Sequence, residues 1–221
     1  VKPSAGATDT IAQLRTKFFA ASQNEKNTIF ADPLANQYAK IGKFDSAAWF
    51  AEVAAKRTNK PDDWLKAGDY YYQAYTFALD PAKQGALAEK ARLFYEKVLG
   101  AQPGNYTVKT KMAMTYIGTA TPMKGILMLR EVLEADPKNE LALFNLGMLS
   151  IQSGQYDKAI GRLEELVRIN PAHTQAQLLL GIALMNQGER KRAKAQFYKV
   201  KDMDKDPAVQ ATVDSYLKDL N

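Results

Sequence analysis

Cysteine is absent from this sequence, which removes disulfides, thiolate metal sites and cysteine nucleophiles together. Histidine is nearly absent. His173 is the single imidazole; no second ligand lies at metal-site spacing from it, and a serine nucleophile elsewhere would lack its usual base. His173 is expected to sit solvated in a loop. No glycine-rich phosphate loop is present, and the 13 glycines fall mainly at turns and helix crossings. No run approaches the ~18 apolar residues that a membrane span needs. Like charges never form a block, and the net charge of +6 is spread along the chain. A nucleic-acid footprint would need clustering on one face. Carboxylate pairs such as Glu164 and Glu165 stand beside Arg162 and Arg168, which reads as a solvated charge face. These absences predict a non-enzymatic protein with no cofactor, no metal, no nucleic-acid partner and no direct membrane insertion by this segment. The sequence opens on Val1 rather than Met, which leaves room for an upstream signal peptide or membrane anchor.

What is present is periodic. Pro103, Pro137 and Pro171 are spaced by 34 residues. The same step links Ala113, Gly147 and Gly181; then Ala91, Gly125, Ala159 and Ala193; then Val98, Val132, Leu166 and Val200. A repeat of this length implies a supersecondary unit that buries its apolar face only by stacking on neighbours. The clearest unit runs from Glu140 to Pro171. Leu143, Leu146, Leu149 and Ser150 fall at helical spacing. Gly154 supplies a turn, since glycine tolerates the positive φ of a helix exit. Ala159, Ile160, Leu163 and Leu166 form the inner stripe of a second helix, which Pro171 ends. Gly147 and Ala159 are expected to be small because two helix backbones cross there.

The residues Leu146, Gly147, Gly154, Ala159 and Leu163, with Tyr156 and Pro171, resemble the tetratricopeptide repeat signature; Leu180, Gly181, Gly188, Ala193 and Phe197 repeat the first five one period later, where Lys205 replaces the proline. The resemblance implies an all-α fold: a right-handed α-solenoid of antiparallel helix pairs, about five units, with flanking helices. The expected division is one domain over 1–221. It comprises an N-terminal helix (9–27), units at 28–60, 61–105, 106–139, 140–173 and 174–206, and a C-terminal capping helix (207–221). The second unit carries about 11 extra residues relative to the period, which lengthened helices would absorb in register, with Asp80-Pro81 in the connection. Ile11, Leu14 and Phe18 mark the inner face of the N-terminal helix, and Val209, Val213, Tyr216 and Leu217 that of the cap.

The resemblance further implies a concave groove lined by the first helix of each unit, taking a protein or peptide. Its register selects Asn36 and Lys40; Leu65, Asp69, Tyr72 and Gln73; Thr107, Thr110, Lys111 and Met114; Phe144, Asn145, Met148, Ile151 and Gln152; and Gln175, Leu178, Ile182, Met185 and Asn186. The later members are apolar and adaptable, the earlier ones polar. Leu178 and Ile182 have an alternative role in covering the C-terminal cap. In the tyrosine run, Tyr71 and Tyr75 suit the core, whereas Tyr72 faces the groove. A clamp for a peptide carboxylate, as some family members have, is only partly echoed by Asn36, Lys66 and Lys111, because Asp32 and Thr107 stand where it would want other residues. The sequence style is similar to bacterial cell-envelope members, which gives an expectation of the periplasmic side. Self-association, as a homodimer through the groove or the tyrosine-rich second unit, is the alternative use of these surfaces.

Overall fold

The computed structural model describes residues 5–21 and 29–220. It contains twelve α-helices and no strand among them. They are α1 (Ala5–Ala20), α2 (Ala31–Lys40), α3 (Phe44–Thr58), α4 (Pro61–Phe77), α5 (Pro81–Ala101), α6 (Tyr106–Ile117), α7 (Pro122–Ala135), α8 (Glu140–Gln152), α9 (Tyr156–Ile169), α10 (Thr174–Asn186), α11 (Arg190–Met203) and α12 (Pro207–Asp219). The fold is an all-α helical repeat. Positions 22–28 of the expected N-terminal helix and first unit, and position 221 of the cap, lie outside the described residues.

The chain divides into two compact units, one up to Gly125 and one from Ile126. In the first, α1 packs on α2, and α3, α4, α5 and α6 each pack on the helix before them. Ile11 and Phe18 of α1 are buried. Phe18 meets Phe50 of α3 edge-on, with ring centroids 5.2 Å apart. Helices α4 and α5 have 17 and 21 residues, against 13 and 14 in α8 and α9. The extra residues of this repeat therefore lie wholly in its helices, and its connection stays short. Asp80 caps α5 by accepting a hydrogen bond from the Lys83 amide at 2.7 Å, and Pro81 opens the helix.

In the second unit, α8 packs on α9, α9 on α10, α10 on α11 and α11 on α12. Its core joins Leu143, Leu163, Leu166, Leu180, Phe197, Val213 and Leu217. Tyr216 of α12 stacks on Phe197 at 5.0 Å. Gly154 and Gly188 leave α8 and α10 with φ of 70° and 86°, a left-handed conformation that a β-carbon disfavours.

Small residues work somewhat differently from the expected backbone crossing at Gly147 and Ala159. A β-carbon on Gly147 would meet the Leu163 side chain at 2.9 Å. The closest backbone approach is at Gly125, where a β-carbon would lie 2.4 Å from the Ala113 carbonyl oxygen.

Candidate functional site

Helices α4 and α6 of the first unit adjoin one another, and together with α2 they carry the earlier candidate residues. Polar side chains there are committed to each other. The Tyr70 hydroxyl donates to Asn36 Oδ1 at 3.0 Å, and Lys66 pairs with Asp32. Asp69 accepts from the Tyr95 hydroxyl at 2.9 Å and from Lys111 Nζ at 2.8 Å. The three residues that echo a carboxylate clamp, Asn36, Lys66 and Lys111, thus all hold neighbouring side chains of this chain.

Tyr72 is half-buried between the rings of Tyr75 and Tyr95, at 5.9 and 6.4 Å. Burial, then Tyr75 and Asp69, push its hydroxyl pKa up. Tyr71 is buried and donates to Glu52. Tyr75 donates to the Met114 carbonyl at 3.4 Å. Leu65, Gln73 and Met114 are half-buried, and Lys40 and Thr107 are exposed. Thr110 is a correction: at 0% exposure it is packed between helices and cannot reach a partner. The same unit holds an open cleft of about 360 Å³ lined by Phe44, Asp45, Ala74, Phe77 and Lys83, with the Phe44 and Phe77 rings stacked on each other at 5.1 Å. The groove register missed it, since both rings lie at helix ends.

In the second unit the first helices α8 and α10 also touch. Phe144, Ile151, Leu178, Ile182 and Met185 are half-buried against the core, and Met148 is half-buried beside them. Gln152, Gln175 and Asn186 are exposed. Asn145 is a weaker candidate: at 8% exposure, its amide donates to the Leu141 carbonyl of its own helix at 2.7 Å. Leu141 itself, 39% exposed, was not selected. Its spacing to Phe144 and Met148 places it on their side of α8, and the alternating register could have identified it.

His173 is not a solvated loop residue. Its Nδ1 accepts from the Ala176 amide at 3.3 Å, capping α10, and its ring stacks on Phe144 at 5.2 Å. Arg162 also departs from the expected solvated face, being half-buried with its guanidinium on Ser150 Oγ at 2.6 Å. Among the described residues no group of His, Asp and Glu has the geometry of a metal site. No described helix is long and apolar enough to cross a membrane.

The family description "tetratricopeptide repeat" matches residues 124–169 and 150–214. Residues 124–214 thus carry sequence repeats of the tetratricopeptide type. No curated protein matches the sequence significantly. Solved structures carry the likeness of fold across the rest. MamA from Desulfovibrio magneticus RS-1 is 17% identical, with 83% of this chain and 96% of that one covered at a TM-score of 0.60. YrrB, described as a tetratricopeptide repeat protein with an unusual peptide-binding site, is 18% identical over 96% and 98% at 0.56. A tetratricopeptide repeat protein from Parabacteroides merdae ATCC 43184 is 16% identical over 97% and 82% at 0.68. Tetratricopeptide repeat proteins are generally interaction scaffolds and generally non-enzymatic.

Proposed function

We propose that this tetratricopeptide repeat chain is a non-catalytic scaffold that binds an extended or helical peptide segment of a partner protein on its first-helix faces. The observation that carries the reading is the apolar side of α8 and α10. Leu141, Phe144, Met148 and Ile151 recur at helical spacing on α8, and Leu178, Ile182 and Met185 stand on the adjoining α10. Methionine and leucine side chains adapt to varied apolar anchors, and helix-in-groove recognition uses anchors at such spacings. The first unit suits orientation better than affinity, because most of its polar groups are already paired.

Selection of peptides on the immobilised chain from a random library tests this. Enrichment of segments with two or three apolar anchors is expected, and a failure to enrich any class contradicts the reading. Placement on the periplasmic side of a bacterial cell envelope is part of the same proposal, on the family resemblance; fractionation of native cells checks it, and a cytoplasmic distribution overturns it. Sedimentation velocity over a wide concentration range addresses a homodimer that uses these faces, and a persistent monomer leaves them available to a partner.

A further inference from the structure

The repeat is broken chemically at one place in the second unit. One period before and one after Ser150, the same position holds a bulky side chain, Tyr116 and Leu184. Ser150 leaves that volume open, and Arg162 reaches into it, where its counterparts are Met128 and Gln196. The result is a small cleft of about 50 Å³ lined by α7, α8 and α9, with Arg130, Lys158 and Arg162 around Ser150 and Ser153. That space exceeds what a single water needs and suits one compact ion.

One of the charges facing this cleft is reversed relative to the next repeat. There, Arg192 pairs with Glu164. One period earlier the same two positions are Lys158 and Arg130, so two cations stand where an ion pair would form. No carboxylate lines the cleft. Among the described residues, Lys158 donates to Gln155 Oε1 at 2.7 Å and Arg162 to Ser150 Oγ, and none of the three cations makes a salt bridge. Like charges gathered without a counter-ion repel, and a half-buried guanidinium pays in lost hydration. Burial, and then Arg130, accordingly push the Arg162 pKa down.

The geometry points to this cleft as a binding site for a compact, doubly charged oxyanion: phosphate, free or as the terminal group of a monoester. Guanidinium groups suit such an anion because their forked donors match its oxygens. Three cations call for a dianion rather than a single carboxylate. None of the lining residues belongs to the peptide-binding face proposed above, so the two readings stand or fall separately.

Isothermal titration of the whole chain with inorganic phosphate, at ionic strength held constant with chloride, tests the site. Saturable one-site binding is expected, weakened roughly tenfold or more by Arg130→Gln or Lys158→Gln. Arg130→Glu recreates the ion pair of the next repeat and should abolish binding without lowering the melting temperature. Phosphoserine serves as the second ligand: binding as tight as phosphate assigns the site to monoesters, and phosphate alone assigns it to the free ion. The absence of saturable phosphate binding, its persistence in Arg130→Glu, or equally tight binding of acetate would overturn the assignment.

Discussion

Adding one methyl group separates two glycines that both stand in small-residue series of the repeat, Gly125 in one and Gly147 in another. At Gly147 the added carbon meets Cγ and Cδ2 of the Leu163 side chain at 2.9 Å, whereas at Gly125 it meets the Ala113 carbonyl oxygen at 2.4 Å, a backbone atom that no rotamer change can move. Gly125→Ala is therefore expected to cost about 1–3 kcal/mol by overpacking, and Gly147→Ala clearly less, as urea denaturation would measure. Glu52 offers a second test. It is 6% exposed and receives Lys90 Nζ at 3.0 Å together with the Tyr71 hydroxyl. Burial alone would raise its pKa, but hydrogen bonds from Lys56, Tyr71 and Lys90 outweigh it and hold the carboxyl below its ordinary value. A depressed carboxyl pKa contributes stability that is present above the unfolded value of about 4.3 and is lost as pH falls through the folded value. Glu52→Gln should flatten the acid limb of the stability profile; an unchanged acid limb would show that the carboxylate is not the responsible group.

The helices show which regularities a sequence exposes and which it hides. Asn105, Asn139 and His173 stand one period apart, and each caps the following helix through its side chain, onto the amides of Val108, Ala142 and Ala176. The spacing was available in the sequence, but a histidine in an asparagine position does not advertise capping. His173→Ala should cost roughly 1 kcal/mol through the lost cap, and His173→Asn should retain most of the stability; equal losses in thermal melts would argue against the cap. The core series was legible because packing repeats with the backbone: Val98, Val132, Leu166 and Val200 are all fully buried. The burial of Thr110 was not, because a register gives a direction on one helix but not how closely its neighbour approaches. Pairs such as Asp69 with Lys111 also escaped, since an ion pair between repeats depends on side-chain reach.

Among the described residues, polar contacts are spread along helices rather than gathered at one centre. The strongest polar clusters knit first helices together in the first unit, and the apolar side chains left half-covered lie on α8 and α10 in the second. A scaffold of this kind takes its affinity from a few apolar anchors and leaves most surrounding contacts near neutral. Met148 and Met185 are half-buried members of that face, so charging them disturbs recognition more than folding. The most direct measurement is fluorescence anisotropy of a library-selected peptide, titrated with the native chain and with the double variant Met148→Lys, Met185→Lys. The account predicts a loss of affinity of roughly tenfold or more while both proteins melt at similar temperatures; undiminished affinity in a folded double variant would contradict it.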